Sequence, residues 1–498
     1  MDTKLDKKLR MIYLIFDYFK MNKKMLSLIV CVDSKGGFSK AGQIPWIVKQ
    51  DSLMFMDTTK KGKKNAIIMG KNTWFSLPEN CRGFKDRINI VVSNTLTDTT
   101  ESNTTKAPTH IVKSLEDGIN LSKSLDVEHT FIGGGLNIYK EALNKHHLDH
   151  IYLTEINKDY KCDLFLPEVP EKYKVIFNKI FSVDDHVVNF RRLSSDQIND
   201  NEGSERGYLD LMERVIRGGD FRQTRNASTW SLFGVNLEFD LTDGYPLLTT
   251  KRVSLYNVYQ ELIFFIRGQT NTNILSENGV NIWKSNTSRE FLDSRKMFDC
   301  KEGDMGPMYG FQWRHFNYGY GGFDKDYTGC GVDQLQNCIN SIKNDPYGRR
   351  HIMTSFNPVQ VEEGCLYPCH GIAIQFYVTG TGLLSCLMMQ RSADLFLGLP
   401  YNIASYSLLL HMICEVINND DLYLGPQLRP GKLHISIGDA HLYENHYNQA
   451  IRQILREPRV YPRLSFKRQV KNMEDFEFED IVLDDYDSYP NIIAQMIA

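Results

Sequence analysis

Leu366-Tyr367-Pro368-Cys369-His370-Gly371 is the stretch that decides how this chain folds and acts. An alternating apolar run follows it and ends in Met389-Gln390-Arg391-Ser392-Ala393-Asp394. The two segments place one thiol, Cys369, among side chains of the kind that bind phosphate. A cysteine is a nucleophile only as the thiolate, and a nearby arginine or histidine lowers the pKa of a thiol. We therefore expect Arg391 to lower the pKa of Cys369 and activate it.

The same features also have ordinary structural explanations. A lone cysteine between strands is usually a small buried hydrophobic side chain, and a pair such as Arg349-Arg350 is usually a solvated surface. The order of the motifs is more specific, because Asn402-Ile403-Ala404-Ser405-Tyr406 and Asp439-Ala440-His441-Leu442-Tyr443 follow downstream. Together these residues resemble thymidylate synthase, over a match that runs from about Glu205 to Ala498.

This resemblance implies a role for each matching residue. Cys369 would add to carbon 6 of the uracil ring of deoxyuridylate (dUMP), and Asn402 would hydrogen-bond the amide edge of the ring as charge develops. Glu261 and Tyr309 would move protons through water. The residues implied for dUMP binding are Arg225, Arg349, Arg350, His370, Gln390, Arg391, Ser392, Asp394, Asn402, His441 and Tyr443.

The phosphate of dUMP would be held by arginines from two parts of the chain. Arg225 fits the phosphate-contacting arginine but lies one residue nearer the following strand than is common, so Arg222 stays open as the alternative. In this family Arg349 and Arg350 would reach over from a partner subunit. The resemblance therefore implies a homodimer formed through the synthase domain.

The folate co-substrate, 5,10-methylenetetrahydrofolate, would lie beside the nucleotide. Trp283, Asn286 and Asp394 are the residues that the resemblance implies for it. Glu261 lies in a predicted apolar helix, Val253 to Gly268, where an unpaired carboxylate would cost several kcal/mol as a charge. We therefore expect a water network around Glu261 or a raised pKa.

The first part of the chain has a different pattern. Apolar runs alternate with helical stretches, which predicts a parallel-rich α/β sheet; the runs span residues 26–32, 66–69, 88–92 and 150–154. Between them lie Gln43-Ile44-Pro45-Trp46, then Asp51 opening a helix, Met69-Gly70-Lys71-Asn72-Thr73-Trp74 and the turn Ile132-Gly133-Gly134-Gly135. In this order the motifs resemble dihydrofolate reductase across roughly Met25 to Leu193.

A carboxylate walled by Trp46 and Phe55 would be partly desolvated and would hold the amidine-like edge of a pterin by two hydrogen bonds. Asp51 matches this carboxylate, although an isolated aspartate there is also a candidate helix N-cap. The folate-binding residues that the resemblance implies in this domain are Cys31, Asp51, Phe55, Arg87 and Thr154.

The cofactor that the resemblance implies is NADPH, with no metal. Lys71, Thr73, Ser93, Gly134 and Gly135 would bind it, and Lys71 would bring a cation and backbone N–H groups toward pyrophosphate. The stretch Gly133 to Tyr139 holds one residue more than the usual spacing, so the glycines that touch the cofactor stay open. The dihydrofolate made by the synthase would be the substrate of this domain.

The whole-chain numbers agree with two enzyme domains. The 498 residues exceed the size of a single core, and the net charge of -3 argues against nucleic acid as the main partner. Ten scattered cysteines with no CxxC pair indicate a reducing, cytoplasmic location. The apolar patch at residues 11–16 is too short to span a membrane.

The resulting plan is an N-terminal extension (1–24), a doubly wound, mostly parallel α/β reductase domain (25–191), a linker (192–205) and an α+β synthase domain (206–498). The chain thus resembles the bifunctional dihydrofolate reductase–thymidylate synthases of protists and plants. The alternatives are an RNA-binding regulator whose chemistry has decayed, and a chain with one working domain and one scaffold. Asp51, Cys369, Arg391 and Asn402 argue against decay. Lysines 49, 60, 61, 63 and 64 either guide dihydrofolate between sites or are simply solvated.

Overall fold

The computed structural model describes residues 24–60, 64–78, 82–96, 108–183, 185–195, 204–224 and 227–497. The chain divides into two compact units, Met1–Asp200 and Asn201–Ala498. Nearly all of the predicted N-terminal extension and one predicted phosphate ligand, Arg225, lie outside the described residues. Each unit contains its own sheet, as the sequence predicted.

The first unit is an α/β structure with four described helices. Its strands are β1 (Met25–Asp33), β2 (Gly37–Ser39), β3 (Asn65–Gly70), β4 (Arg87–Val92), β5 (His110–Val112), β6 (His129–Ile132), β7 (His150–Ile156), β8 (Leu164–Phe165), β9 (Lys174–Val183) and β10 (His186–Ser194). Its helices are α1 (Lys49–Thr59), α2 (Lys71–Ser76), α3 (Leu115–Ser124) and α4 (Leu136–Lys145). Eight strands form one sheet in the order β5-β4-β3-β6-β1-β7-β10-β9.

This sheet is parallel except where β10 pairs with β7 and β9, which confirms the predicted mostly parallel architecture. The strands read as continuous apolar runs because both faces are covered. Leu28 and Ile68 pack in the core on one side, and Ile29 and Ile67 pack on the other. Loops at the carboxyl ends of such strands meet at one edge of the sheet, where ligands of this fold class bind.

The second unit is an α+β structure, again as predicted. Its strands are β11 (Asp220–Gln223), β12 (Ser228–Asp240), β13 (Ile352–Met353), β14 (Ala373–Val378), β15 (Leu383–Asp394), β16 (Arg429–Tyr443), β17 (Arg463–Phe466) and β18 (Ile481–Asp484). Its helices are α5 (Ser204–Gly218), α6 (Leu255–Ile266), α7 (Asn273–Glu277), α8 (Arg289–Ser294), α9 (Gly310–His315), α10 (Gln334–Asn344), α11 (Gly398–Asn418) and α12 (Tyr447–Ile454). Six strands form the main sheet in the order β11-β12-β16-β15-β14-β13.

Helix α11 is the central buried helix of this unit. It is 21 residues long and packs against α6, β15 and β16. Its apolar residues face the core on nearly every side, which is why its sequence lacks a clear polar stripe. Among the described helices, none combines the length and the apolar character that crossing a membrane requires.

The segment between the units is shorter than its polar sequence suggests. Strand β10 continues through Ser194, and α5 already begins at Ser204. Glu205 is buried, and its carboxylate accepts hydrogen bonds from the backbone N–H and the hydroxyl of both Thr249 and Thr250. Both ends of the expected linker (192–205) thus lie in regular elements, and residues 196–203 lie outside the described part.

Candidate active sites

Cys369 lies in the loop before β14, between Tyr309 and Arg391. Its backbone N–H donates a hydrogen bond to the Tyr309 hydroxyl at 2.8 Å, and Arg391 Nη2 lies 3.7 Å from its Sγ atom. Arg391 also donates to the carbonyl oxygens of Pro368 (2.9 Å) and Tyr367 (3.0 Å). The loop that carries the thiol therefore also fixes the guanidinium beside it.

Arg391 does lower the pKa of the Cys369 thiol, but the expected activation is wrong for the site without substrate, because the pKa is raised overall. Burial raises the pKa of this thiol, and the positive charge of Arg391 offsets the effect only in part. His370 adds no charge, because burial lowers the pKa of its imidazole to about 3. Cys369 is therefore a thiol at rest and must lose a proton before it can attack.

Two stacked rings hold Tyr309 in place. The ring of Tyr309 stacks on Phe265 at 4.9 Å and on His370 at 4.5 Å, centroid to centroid. His370 Nδ1 lies 3.0 Å from the Tyr406 hydroxyl. Phe265 lies one turn after Glu261 in the predicted apolar helix, and only this place in the sequence hinted at a role near the site.

Glu261 is buried in α6 beside the same cluster. Its Oε1 accepts a hydrogen bond from Trp283 Nε1 at 2.9 Å. Burial raises the pKa of this carboxyl to about 7, against the lowering effect of the Trp283 bond. This is the direction expected for a carboxylate in an apolar helix, and it lets Glu261 take up and release a proton near neutral pH.

Gln390 links β15, on which it lies, to Asn402 on α11. The buried Gln390 donates from Nε2 to Asn402 Oδ1 at 2.9 Å and to the backbone oxygen of Ser392 at 3.1 Å. It therefore lies behind Asn402 and sets the orientation of its amide. Asp394 Oδ1 accepts from the backbone N–H of Phe396 and of Leu397, at 2.9 and 3.2 Å, at the start of α11.

Three of the predicted phosphate arginines do not join this cluster within one chain. Arg349 and Arg350 are exposed in the loop between α10 and β13, and among the described residues no hydrogen bond or ion pair links either guanidinium to Cys369 or Arg391. Arg222, the alternative to Arg225, is bound to a carboxylate instead: its Nη2 lies 2.7 Å from Asp439 Oδ2. Sequence analysis quoted Asp439 only as part of a motif.

In the first unit, one cleft of about 2180 Å³ opens at the carboxyl edge of the parallel strands. Almost every predicted reductase residue lines it. The lining members are Cys31, Asp51, Phe55, Lys71, Thr73, Arg87, Ser93, Gly134 and Gly135. The cleft also takes in Lys113 at the N-terminus of α3, which sequence analysis missed although a cation before a capped helix was a usable signal.

Asp51 lies in the first turn of α1, but the helix N-cap is Val48, so the N-cap explanation for Asp51 is wrong. Burial raises the pKa of the Asp51 carboxyl to about 6, and the facing Thr154 hydroxyl and Cys31 thiol partly oppose this. Cys31 on β1 is the register partner of Thr154 on β7. The carboxyl is thus desolvated with two polar neighbours, as a pterin-binding group requires.

Arg87 is a buried guanidinium at the start of β4. Burial lowers its pKa to about 10, and the attraction of Asp86 offsets this in part. Its Nη1 donates to the Thr59 hydroxyl, and its guanidinium lies 5.0 Å above the ring of Phe84. A desolvated cation at the wall of a cleft favours an anionic ligand group such as a carboxylate.

At the other end of the cleft, the glycines predicted to bind the cofactor pack closely against Thr73 and Tyr139. A methyl group added at Gly135 would come 2.9 Å from Thr73 Oγ1, and one added at Gly134 would come 3.1 Å from the Tyr139 hydroxyl. Only glycine therefore leaves room for a ligand to approach this backbone. Lys71 Nζ lies 2.8 Å from Thr95 Oγ1 at the same end.

Comparison with known proteins assigns a family to each unit. The thymidylate synthase family model matches residues 206–498, and the dihydrofolate reductase model matches residues 25–194. The bifunctional dihydrofolate reductase-thymidylate synthase of Leishmania major is 36% identical over 96% of this chain and 96% of its own length. The bifunctional dihydrofolate reductase-thymidylate synthase of Daucus carota is 37% identical over 95% of this chain and 96% of its own length.

A thiol site for a nucleotide and a cleft for a folate define the class: a folate-dependent enzyme with two catalytic domains. Both family models cover their unit almost from end to end, and the relatives span the full chain. The chain belongs to the bifunctional dihydrofolate reductase–thymidylate synthase family. It makes thymidylate with its second domain and reduces dihydrofolate with its first, within one-carbon metabolism.

Proposed function

We propose that Cys369, Glu261, Tyr309 and Asn402 carry out the reductive methylation of dUMP, and that Asp51 serves the reduction of dihydrofolate. The observation that carries this proposal is the position of the half-buried Cys369, whose Sγ lies 3.7 Å from Nη2 of the exposed Arg391. A nucleophile, a cation and a proton-accepting carboxyl with a pKa of about 7 are the parts that addition to a uracil ring needs.

In the synthase, the thiol of Cys369 adds to carbon 6 of dUMP after it loses its proton. Negative charge then spreads over carbon 5 and the carbon 4 oxygen, where the amide of Asn402, oriented by Gln390, is the hydrogen-bonding group. Glu261 and Tyr309 move protons to and from the ring. 5,10-Methylenetetrahydrofolate, beside Trp283, gives its one-carbon unit to carbon 5, which loses its proton. It then gives a hydride to that unit as the bond between Cys369 and carbon 6 breaks, and it leaves as dihydrofolate.

The phosphate of dUMP is assigned to Arg225, Arg391 and Ser392, with Arg349 and Arg350 from a partner. The sugar hydroxyl is assigned to His441 and Tyr443, whose rings meet edge to face at 5.2 Å. Because Arg222 is bound to Asp439, we keep Arg225 as the phosphate ligand. Asn286 and Asp394 complete the proposed folate contacts.

In the reductase, Asp51 and Thr154 hold the pterin, Cys31 and Phe55 line its pocket, and Arg87 receives the folate α-carboxylate. Lys71, Thr73, Ser93 and the Gly134-Gly135 turn hold NADPH, which supplies the hydride when it is bound. Support comes from the desolvated Asp51 and Arg87, one carboxyl and one guanidinium on the wall of one cleft. Their charges match the two ends of a folate.

We further propose a homodimer formed by the sheet of the second unit. Three apolar side chains on one face of β14 and β15 are exposed in the single chain: Tyr377 (59%), Leu387 (44%) and Met389 (45%). An open apolar sheet face on a chain of this size favours a partner surface. A second copy on this face supports the assignment of Arg349 and Arg350 across the interface.

The cytoplasmic location and the statements on metal and nucleic acid remain predictions. All cysteines in the described part of the chain lack disulfides, which supports the proposed cytoplasmic location. Within the same part, no group of three or more His, Cys, Asp or Glu side chains is placed to hold a metal ion. The proposed chemistry requires neither a metal nor nucleic acid. The domain plan of 25–191, 192–205 and 206–498 stays a proposal, with the two ends of its linker inside β10 and α5.

The test follows absorbance as purified protein receives dUMP and 5,10-methylenetetrahydrofolate, with NADPH added after the first change levels off. We expect a rise from dihydrofolate and then an NADPH-dependent fall. Cys369→Ala should lower the rate of the absorbance rise more than about a thousandfold and leave the rate of reduction of added dihydrofolate unchanged. Asp51→Asn should lower the rate of that reduction and leave the rise unchanged. If either variant lowered both rates equally, the residue assignment would be wrong.

A further inference from the structure

A carboxylate behind the nucleotide site joins an arginine to a histidine. Asp439 and His441 lie two residues apart on β16, so their side chains point to the same face of the sheet. Arg222 on β11 reaches this carboxylate, with its Nη2 2.7 Å from Asp439 Oδ2. The Nε atom of Arg222 also lies 3.7 Å from the exposed Asp220. Arg222 is therefore committed to carboxylates of its own chain.

The second oxygen of Asp439 faces His441. Asp439 Oδ1 is buried and has no well-aligned hydrogen bond within the described part of the chain. His441 Nδ1 lies 3.4 Å from it, and the Ser392 hydroxyl lies 3.5 Å from the same nitrogen. Ser392 on β15 is the register partner of Asp439, and His441 lies two residues further along β16, opposite Asp394.

A carboxylate beside Nδ1 selects the histidine tautomer that carries its proton on Nδ1. The other ring nitrogen, Nε2, then presents a lone pair, which accepts a hydrogen bond from a hydroxyl. The nearby His441 is the main cause that lowers the pKa of the Asp439 carboxyl to about 2; burial opposes the effect and Arg222 reinforces it. The carboxylate therefore stays charged throughout the range in which the enzyme works.

We infer that Asp439, held by Arg222, is a positioning residue that fixes the tautomer and orientation of His441 so that Nε2 accepts a hydrogen bond from the 3′-hydroxyl of the deoxynucleotide. This inference rests on the proposed role of His441 at the sugar. It assigns Arg222 to the sugar side of the site and leaves the phosphate to other arginines. The consequence is selectivity for a nucleotide that has a free 3′-hydroxyl.

The experiment compares two nucleotides that differ only in that hydroxyl, dUMP and 2′,3′-dideoxyuridylate, by calorimetric dissociation constants and, for dUMP, by KM and kcat. Asp439→Asn should weaken the binding of dUMP about tenfold, seen mainly as a higher KM. It should change the binding of the dideoxy nucleotide less than about twofold. Arg222→Gln should show the same pattern to a smaller degree, and Arg222→Lys should restore part of the loss.

Reference variants separate this inference from the proposed function. His441→Ala must lose affinity for dUMP and not for the dideoxy nucleotide; an equal loss for both would overturn the role of His441 itself. In the His441→Ala background, Asp439→Asn should add no further loss. Asp421→Asn is the matched control, because it removes a carboxylate paired with Lys471, also at 2.7 Å, on an exposed loop.

Two results would overturn the positioning role of Asp439. One is an equal loss for both nucleotides in Asp439→Asn, which would mean a structural or a phosphate-side role. The other is an Asp439→Asn variant that binds dUMP as tightly as the parent chain and unfolds at the same temperature. If Asp439→Asn does not fold, Arg222→Gln carries the same comparison, and an equal loss there for both nucleotides would assign Arg222 to the phosphate.

Discussion

At the scale of the residue, the position of a side chain and its protonation state have different causes. The order of motifs predicted that Cys369 and Arg391 belong to one site, and the structure places their side chains 3.7 Å apart. The pKa of the thiol was not predictable, because it depends on how many groups from distant parts of the chain exclude water around Cys369. For Glu261 the apolar helix itself carried that information, and the raised pKa followed from sequence.

The buried Glu261 should make the synthase domain less stable as pH rises. Its carboxyl has a pKa of about 7 when folded and an ordinary value near 4.5 when unfolded, so the folded state binds the extra proton between these values. Stability from this group is therefore present at low pH and is lost as pH rises toward 7. Glu261→Gln should abolish synthase activity yet unfold at a higher temperature than the parent at pH 8.

The gain in unfolding free energy of Glu261→Gln over the parent should be about 2 kcal/mol larger at pH 8 than at pH 5.5. The reason is that about 1.5 pH units of the interval between the unfolded and folded pKa values of Glu261 lie in this window. Thermal unfolding at the two pH values measures it. Glu290→Gln, at an exposed position in α8, is the control and should show no such difference. A Glu261→Gln advantage that is equal at both pH values would contradict the buried-charge explanation.

Gln390 should control the choice between uracil and cytosine. It donates to Asn402 Oδ1, so the amide of Asn402 is held in one orientation. Gln390→Glu offers only acceptors, so it should turn the Asn402 amide over and reverse the donor and acceptor that the base meets. We expect the preference for dUMP over deoxycytidylate, as a ratio of kcat/KM values, to fall about tenfold.

The chain offers a matched control for this substitution. Gln336 donates in the same way to Asn340 Oδ1 at 3.0 Å on the exposed face of α10. Gln336→Glu should leave the preference unchanged. If Gln390→Glu reduced activity on both nucleotides by the same factor, Gln390 would have no part in reading the base.

At the scale of the element, the predictable parts were those whose pattern is local. The four apolar runs of the first unit became β1, β3, β4 and β7, because burial on both faces leaves no alternation. The ends of the linker were not predictable. Nothing local shows that the carboxylate of Glu205 is satisfied by Thr249 and Thr250, more than forty positions along the chain.

The turn after β6 should be intolerant of any side chain. Gly134 has a φ of 116°, and a methyl group there would also press on the Tyr139 hydroxyl at 3.1 Å. Gly134→Ala should therefore weaken NADPH binding at least about tenfold and lower the unfolding temperature of the reductase domain. Calorimetric titration with NADPH and thermal unfolding measure the two effects.

Gly36 gives the control for the backbone contribution alone. Its φ is 78°, and a methyl group there would meet nothing within 4 Å. Gly36→Ala should cost about 1 kcal/mol of stability and leave NADPH affinity nearly unchanged. Equal losses of affinity in the two variants would show that crowding at Gly134 has no part in cofactor binding.

At the scale of the whole molecule, length and the two ordered motif sets were enough to predict two domains and their fold classes. Neither of them shows whether Arg349 and Arg350 complete the site of a second copy, as we propose. Arg349 and Arg350 are exposed and, among the described residues, make no hydrogen bond or ion pair with the nucleotide cluster of their own chain. A sequence cannot distinguish a surface arginine pair from one that completes the site of a second copy, because both look like solvated charge.

Mixing two inactive variants tests whether Arg349 and Arg350 complete the site of a second copy. Cys369→Ala lacks the nucleophile, and an Arg349→Ala/Arg350→Ala variant lacks the proposed partner arginines. In a heterodimer, the intact Cys369 of one chain meets the intact arginines of the other, so one of its two sites is complete. Random exchange of equal amounts makes half of the dimers mixed, and synthase activity should therefore return to about a quarter of the parent value, while reductase activity stays constant throughout. If the arginines instead act within their own chain, no complete site can form, and the mixture will stay as inactive as its components.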